Sequence, residues 1–112
     1  MKSNTTKNYF YSGDYYSYTL VTSADGTVTT RQYVTSPLQV TLALSVNLLG
    51  ELVIETPYKM QVDGYLKNVL DRNNEEIYVG GVWQIIQTAP ILGPLGVKDG
   101  YRYRARLIEG EI

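Results

Sequence analysis

The run from Tyr101 to Ile108 reads Tyr-Arg-Tyr-Arg-Ala-Arg-Leu-Ile. Aromatic or apolar residues alternate in it with arginines, up to the final isoleucine. Successive side chains of a β-strand point to opposite faces. The two tyrosines, Ala105 and Leu107 would therefore share one face, and the arginines and Ile108 would share the other. In a helix the same arginines would be scattered around the axis. The period predicts a strand with one core face and one basic face.

The run before it, Val82 to Gln87, is also strand-like and contains the only tryptophan, Trp83. Because a tryptophan ring brings a large apolar area to bury, we expect these two runs to lie together at the centre of the core. Between them, Thr88 to Gly100 is apolar and punctuated by glycine and proline, which predicts a long loop. Connections of this length are often functional, so the loop is expected either to meet a partner or to fold back over the end of the domain.

A second alternation runs from Leu38 to Asn47, where branched apolar residues take every other position. We expect all of them to face the core, at about 1.5 to 3 kcal/mol of stabilisation for each side chain that is fully buried. The residues concerned are Leu38, Val40, Leu42, Leu44 and Val46.

A hairpin is predicted where Tyr15 to Thr22 and Thr27 to Val34 flank Asp25-Gly26, because Asp-Gly between two β-rich segments is a strong turn signal. Its faces mix threonine with tyrosine, so the hairpin is expected to project from the body instead of forming the core. The predicted register pairs Ser23 with Val28, Val21 with Thr30, Leu20 with Arg31, and Tyr18 with Tyr33.

Shorter segments complete a count of seven or eight strands, with no convincing amphipathic helix. The pattern predicts an all-β fold, a small single-domain β-barrel or sandwich over residues 1–112, with a projecting hairpin and a long apolar loop. Residues 1–8 are polar and are predicted to be an arm, either flexible or bound to a partner. The other predicted strands are 9–11, which Gly13-Asp14 separates from the hairpin, then 51–55, 58–62, 65–70 and 75–79.

Composition excludes several kinds of chemistry. The chain has no cysteine and no histidine, which removes disulfides, thiolate metal sites and the commonest general base. The net charge is -1, so nucleic-acid affinity is not indicated as a global property. No run is long and apolar enough to suggest a membrane span, and no secretory signal is visible. The sequence therefore predicts a protein that is not an enzyme, with no cofactor, no catalytic residue and no metal ligand.

Acidic residues are dense in only two places, Glu51 with Glu55 and Glu75-Glu76. A hydrolase would need two carboxylates at a defined separation in a cleft, which the sequence does not supply. The segment from Asp71 to Glu76 lacks the spacing of a calcium loop. Both places are interpreted as solvated strand or turn edges.

Eleven tyrosines and a ladder of arginines are the features that point to partners. The arginines are expected to pair with glutamates on adjacent strands, with an acidic neighbouring subunit, or with a nucleic-acid backbone. Partner contacts are predicted at the hairpin tyrosines, the apolar loop and the ladder, that is at Tyr15, Tyr16, Tyr18, Tyr33, Ile91, Leu92, Leu95, Arg102, Arg104 and Arg106.

From Asp63 onwards the features follow a definite order: a run ending in the polar turn at Leu70-Asp71-Arg72, a short strand, the pair Gly80-Gly81, a strand with an aromatic residue and isoleucine, a loop and a final strand. This order, in Glu76 to Ile85 and Tyr101 to Leu107, resembles the small head-to-tail joining proteins of tailed bacteriophages, the head-closure (stopper) and adaptor class. The sequence before Asp63 has no recognisable resemblance to this family.

The resemblance implies a β-barrel that assembles as a ring between the portal and the tail, with loops towards the DNA channel and an extended segment reaching a neighbour. It implies a virion structural protein of the neck, assembled in the host cytoplasm. Its partners would be further copies of itself and neighbouring virion proteins, namely the portal or adaptor and the tail terminator or tube, with non-specific proximity to DNA. The family carries no catalytic residues to transfer.

Two other classes of function stay open at this point. One is another structural position in the tail or baseplate. The second is a tyrosine-rich β module that stacks on glycan rings or on single-stranded nucleic acid. A base-stacking module would bind as a monomer and lose affinity steeply with salt, whereas an assembly protein would exceed the mass of one chain.

Overall fold

The computed structural model describes residues 9–92 and 98–108, which form eight β-strands and no helix. The predicted all-β class is therefore confirmed. The predicted arm at residues 1–8 lies outside the described residues. The strands are β1 Tyr11–Tyr16, β2 Tyr18–Thr22, β3 Thr29–Tyr33, β4 Leu38–Val46, β5 Leu52–Thr56, β6 Tyr65–Leu70, β7 Val82–Leu92 and β8 Lys98–Ile108.

Six of the strands close into a barrel in the order β1, β4, β5, β8, β7, β6. Every neighbouring pair is antiparallel, and β1 closes the barrel by pairing with β4 on one side and β6 on the other. Strands β2 and β3 form a separate two-stranded sheet. Of the two predicted architectures, the barrel is the one that forms. Within the described ranges, no helix is long and apolar enough to cross a membrane.

The final strand behaves as its alternation predicts. Tyr103 and Ala105 are buried, while Arg102 and Arg106 on the other face are exposed. Trp83 is buried on β7 and pairs across to β8. Each barrel strand contributes side chains to the same core, as expected of a small closed barrel. The buried cluster comprises Tyr15, Val40, Leu42, Leu52, Ile54, Met60, Leu66, Val69, Trp83, Ile85, Tyr103 and Ala105.

The expectation that the whole apolar face of β4 lies in the core is wrong at the ends of the strand. Val40 and Leu42 are fully buried and Leu44 is partly buried, but Leu38 is 55% exposed and Val46 is 68% exposed. The reason is the slant of the strand: residues 38–42 pair only with β1 and residues 43–46 pair only with β5. Each end of β4 therefore projects past the closed wall.

The predicted break at Gly13-Asp14 is also wrong, because β1 runs through both residues. Gly13 is buried, and a Cβ at this position would lie 3.4 Å from the side chains of Leu66 and Val69. The missing side chain thus leaves room for the core, and a bulge between Ser12 and Asp14 takes up the change of register. The chain leaves the barrel at Ser17 instead.

Most of the predicted loop at residues 88–100 is strand. Thr88 pairs with Tyr103 and Pro90 with Tyr101, so β7 and β8 continue as a long hairpin, and only residues 93–97, outside the described residues, separate them. Among the described strands none flanks β7 on its other side at Pro90, an edge position where proline is tolerated. Gly100 has φ of 129° and passes so close to β5 that a Cβ would lie 3.2 Å from the Thr56 carbonyl oxygen.

Two other predicted strands are connections. Residues 58–62 link β5 to β6, and Met60 from this segment is buried at the barrel end, where its N–H donates to Tyr103 Oη at 2.6 Å. Residues 75–79 form only an isolated bridge between Leu70 and Glu76. The prediction of a strand at residues 65–70 is confirmed.

The β2–β3 hairpin has the predicted register. Tyr18 pairs with Tyr33, Leu20 with Arg31 and Val21 with Thr30. Beyond its first and last residues, every position in both strands is exposed. The sheet therefore projects from the barrel instead of packing against it.

The register of the barrel places both hairpins at one end, here called the hairpin end. The β2–β3 hairpin leaves where β1 ends and β4 begins, and the β7–β8 hairpin extends past the end of β5. The opposite end, here called the turn end, carries the β4–β5 turn and the connection from β6 to β7.

Candidate functional site

The β2–β3 hairpin is fastened to the barrel at its base, through the side chains of Tyr18 and Tyr33. Tyr18 is the first residue of β2, and Tyr33 is the last residue of β3. The Tyr18 hydroxyl donates to the Val62 carbonyl at 3.0 Å. The Tyr33 hydroxyl donates to the Asp63 carbonyl at 2.8 Å. Both acceptors belong to the segment that connects β5 to β6, so this connection serves as the hairpin's base.

Gln61 adds a contact that takes the place of a strand. The N–H of Tyr18 donates to Gln61 Oε1 at 2.9 Å, and Gln61 Nε2 donates to the Tyr18 carbonyl at 3.2 Å. A neighbouring antiparallel strand would exchange the same two bonds with a residue. The backbone of Gln61 is itself fixed, because its N–H donates to the hydroxyl of Tyr15 at 2.7 Å. The outer edge of β2 is therefore closed at Tyr18 by a side chain.

An ion pair joins the side of the hairpin to its base. Arg31 Nη2 lies 3.0 Å from Asp63 Oδ2, and the Asp63 carboxylate is the main cause of a raised pKa at Arg31. Asp63 has φ of 73°, a left-handed conformation that aspartate tolerates better than most residues. The side chains are 45% and 34% exposed, so solvent screens the pair and it adds little to stability. Its role is to orient the hairpin.

A tyrosine cluster surrounds the same base. The ring of Tyr33 lies 5.4 Å from that of Tyr18 and 4.8 Å from that of Tyr65, between centroids, and both pairs are tilted. Burial is the largest cause that raises the pKa of Tyr33 to about 12. Because Tyr33 keeps its proton throughout the neutral range, it remains a hydrogen-bond donor to the base.

Beside this cluster lies an open cleft of about 530 Å³ with cationic and aromatic walls. Lys67 Nζ sits 5.6 Å from the ring centre of Tyr16, within cation–π range. Arg31, which also lines the cleft, is already paired with Asp63. The cleft is lined by Tyr16, Arg31, Gln32, Tyr33, Val34, Thr35 and Lys67.

The tip of the hairpin is organised by Asp25. Its Oδ1 accepts hydrogen bonds from the Ser23 hydroxyl at 2.6 Å and from the backbone N–H and the hydroxyl of Thr27 at 3.1 and 2.8 Å. These bonds, led by that from Ser23, lower the pKa of Asp25 to about 2. The carboxylate, and not only the glycine after it, therefore holds the turn.

Acid is expected to loosen this tip. The folded pKa of Asp25 is about 2 against an ordinary 3.8, so the carboxylate's contribution is fully present above about pH 4 and is lost as the pH falls through 2. An NMR titration should give a midpoint near 2 for this carboxyl, with the amides of Thr27 and Val28 shifting in parallel. In Asp25→Asn the two amides should lack this transition. A midpoint near 3.8 would contradict the bonding described.

The predicted contact tyrosines do not share one environment. Tyr15 lies in the barrel core with 6% of its surface exposed, so it offers little area to a partner. Tyr16, Tyr18 and Tyr33 lie together, partly exposed, around the hairpin base. The structure thus brings three of the four together and places the fourth inside.

Two of the contact residues predicted in the apolar loop, Ile91 and Leu92, lie at the end of β7. Ile91 is partly buried, and Leu92 is 62% exposed. Leu95 lies outside the described residues. The β7–β8 hairpin offers apolar surface at the same end of the barrel as β2–β3.

The arginine ladder is matched largely within the chain. Arg102 Nε and Nη2 lie 3.0 and 2.7 Å from Glu55 Oε2. Arg104 Nε lies 3.3 Å from Glu51 Oε1, in ion-pair range, although that buried nitrogen makes no hydrogen bond to the described residues. For Arg106, no carboxylate in the described part of the chain lies within ion-pair distance.

A cleft of about 290 Å³ lies on the outer wall beside this ladder, where β7 bulges at Ile86. Arg102 and Arg104 contribute to its lining with Gln87 and Thr88. Because both arginines already face glutamates, the cleft does not present two unmatched cations to an anion.

One acidic residue, Asp71, organises the turn that follows β6. Asp71 Oδ1 accepts the backbone N–H groups of Asn73 and Glu75, so it holds its own turn. Within residues 9–92 and 98–108, no three His, Cys, Asp or Glu side chains come together as a metal site would require. Asp25 and Asp71 hold turns, and Glu51, Glu55 and Asp63 form ion pairs.

Sequence reasoning missed two features. The first is the contact of Gln61 with the edge of β2, which no sequence pattern predicts. The second is the apolar turn end, where Leu48 and Leu49 are almost fully exposed in a turn whose amide groups Asn47 holds. The signal was present, because two leucines in an Asn-Leu-Leu-Gly turn have nowhere to be buried. Other exposed apolar residues from this end are Phe10, Val46, Ile77, Tyr78 and Val79.

Comparison with models of known protein families, with curated proteins and with solved structures gives no match to this chain.

Proposed function

We propose that this chain is a structural protein that assembles as a ring in the neck of a tailed bacteriophage, between portal and tail, in the manner of head-closure proteins. In this proposal it acts without catalysis. It works in the virion, where it contacts copies of itself and the virion proteins above and below. The resemblance of the segment after Asp63 supports this position, and the projecting hairpins support assembly.

The observation that carries the proposal is the β2–β3 hairpin. An isolated two-stranded sheet is marginal in water. This one keeps Leu20, Val21 and Val28 exposed at 66, 42 and 53%, yet it is held firmly at its base by Tyr18 and Tyr33. A segment that is anchored but uncovered is suited to being covered by another molecule.

The two ends of the barrel suit different neighbours. The hairpin end carries the β2–β3 hairpin and Leu92, and the turn end carries Leu48, Leu49 and Val79, which are 104, 78 and 83% exposed. In a ring placed between two other layers, the turn end would meet one layer. The exposed apolar residues would then lose contact with water on assembly, which favours the assembled state.

The experiment is reconstitution. The purified chain is mixed with the portal, adaptor, tail-terminator and tube proteins encoded alongside it, and complexes are examined by electron microscopy after gel filtration. We expect ring-shaped particles, or rings seated on one of those partners. Leu48→Asp with Leu49→Asp should weaken the contact with a layer at the turn end, and Thr41→Asp, on the exposed outer wall, is the control.

The cationic and aromatic cleft at Tyr16 and Lys67 favours a second candidate, a module that binds single-stranded nucleic acid or glycan. In that case Tyr16→Ala would abolish binding of a labelled oligonucleotide or oligosaccharide by a monomeric protein. Nucleic-acid binding would also weaken steeply between 50 and 200 mM salt, by about tenfold or more for several phosphate contacts. A monomer with such binding would replace the ring proposal.

A further inference from the structure

The β2–β3 hairpin has two open backbone edges, and its hydrogen bonds define which groups face outwards. Ser23 N–H donates to the Val28 carbonyl at 2.7 Å, and Val34 N–H donates to the Ser17 carbonyl at 3.0 Å. In an antiparallel ladder such inward pairs alternate with outward ones. The backbone groups of Leu20 and Thr22 on β2, and of Thr29 and Arg31 on β3, therefore point away from the hairpin.

The contact at Gln61 agrees with this alternation of inward and outward backbone groups. Tyr18 is an outward residue of β2 by the same count, and its N–H and carbonyl are the ones that the Gln61 amide binds. The side chain therefore uses up one position of the edge next to the barrel. From Leu20 to the tip, no backbone group in the described part of the chain meets the outward groups of β2.

These edges lack most of the devices that normally prevent strands from pairing with other molecules. The one charged side chain in β2 and β3, that of Arg31, is paired with Asp63 of the same chain. Residues 19–32 contain no lysine and no proline, and the ladder between β2 and β3 has no bulge. The open edge of β7 differs, because Pro90 lies on it and a bulge at Ile86 interrupts its register. Of the two hairpins in residues 9–92 and 98–108, it is therefore β2–β3 that is open to strand addition on both sides.

We propose that the hairpins of neighbouring copies join edge to edge, with β2 of one copy pairing with β3 of the next. This inference rests on the proposed ring. In copies related by rotation, the outer edge of β2 and the outer edge of the neighbour's β3 run antiparallel, as a ladder requires. Both strands have five residues, so the two edges that would pair have the same length.

The contact is head to tail, since each copy offers a β2 edge to one neighbour and a β3 edge to the other. Such a contact closes into a ring when the rotation between copies divides a full turn. The outward groups of Leu20 and Thr22 meet those of Thr29 and Arg31 in the next copy. The Gln61 amide already occupies the backbone groups of Tyr18, so the ladder between two copies would end before this residue. The neighbour's β3 would therefore cover the part of β2 that projects from the barrel.

A proline substitution at Thr29 tests the backbone edge. It also removes the hydroxyl that lies 3.3 Å from the Thr22 hydroxyl, so its control is a variant that loses the hydroxyl alone. Thr29→Pro removes one outward N–H and should reduce the assembly to the mass of a single chain. Thr29→Ala removes the threonine hydroxyl, leaves that N–H in place, and should assemble as the original chain does. If Thr29→Pro assembles as well as Thr29→Ala, the edge pairing is wrong although the ring stands. If the original chain never assembles, both proposals fail.

Amide hydrogen exchange checks the same point without a substitution. On assembly, the amides of Leu20, Thr22, Thr29 and Arg31 should exchange at least tenfold more slowly, whereas those of Thr19 and Val21, bonded within the hairpin, should change little. Equal exchange of the four outward amides in the monomer and the assembly would overturn the inference. The amides of the barrel strands in Thr29→Pro report whether the variant is folded.

Discussion

Replacing Trp83 by alanine is expected to lower the free energy of unfolding by about 3 to 5 kcal/mol. Trp83 is 7% exposed on β7, where it pairs with Leu66 of β6 and Leu107 of β8. Truncation removes the apolar contact area of the ring and leaves a cavity between three strands of a closed wall, which can collapse only in part. Small domains are stable by about 5 to 15 kcal/mol, so this loss is a large part of the total stability.

The measurement is unfolding in urea followed by circular dichroism, because the only tryptophan is removed as a fluorescent probe. Tyr78→Ala is the matched control. Its ring contacts that of Trp83 edge to face at 6.5 Å, but Tyr78 is 54% exposed. The control should lose about 0.5 to 1.5 kcal/mol for the aromatic contact. Comparable losses in the two variants would contradict the placement of Trp83 at the centre of the core.

Leu42→Ala is expected to lower the free energy of unfolding by about 2 to 5 kcal/mol. Leu42 is fully buried, and it lies opposite Tyr11 in the ladder between β4 and β1. Its side chain also approaches Gly13, where a Cβ would lie 3.5 Å from Leu42 Cδ1. The core here is built around a glycine, so nearby side chains cannot easily fill the space that alanine leaves.

Leu38→Ala is the control for this variant, with the same substitution on the same face of the same strand. Leu38 is 55% exposed, so we expect a loss within about 1 kcal/mol. Denaturant midpoints with unchanged slopes would give both values. Equal effects at the two positions would mean that β4 is buried along its whole length, as its alternation alone suggests.

Strand β4 shows that burial at the ends of a strand cannot be predicted from alternation alone. Alternation identifies the face of a strand, and here it correctly placed Val40, Leu42, Tyr103 and Ala105. It does not reveal how a closed barrel slants its strands. The slant leaves each end of β4 with a neighbour on one side only, which exposes Leu38 and Val46. Burial at strand ends depends on closure, a property of six strands together.

The turn signal at Asp25-Gly26 was reliable, whereas the loop signals at Pro90 and Gly100 were not. Asp25-Gly26 gave the β2–β3 pairing correctly, because the loop length alone fixes the register of a hairpin. Pro90 and Gly100 suggested a loop, although both lie within strands. Proline is acceptable on an open edge, and Gly100 is required by the close approach to Thr56. The meaning of these residues depends on neighbouring strands that the local sequence does not show.

The candidate site was predicted in part. The tyrosines of the hairpin were identified as a group, but Tyr15 fills the core, and Tyr18 and Tyr33 fasten the hairpin through their hydroxyls. The contacts with residues 61–63 span more than 25 positions of sequence, so no local pattern announces them. The internal pairing of Arg102 with Glu55 was one of the predicted alternatives, and β5 and β8 place the two opposite each other.

The measurement that tests assembly most directly is the mass of the purified protein in solution, by light scattering across a range of concentrations, alone and with neighbouring virion proteins. We predict one discrete species of many chains, either alone or on addition of one partner, which reverts to a single chain in Thr29→Pro. The mass of a single chain at every concentration and with every partner would contradict the proposal of a ring.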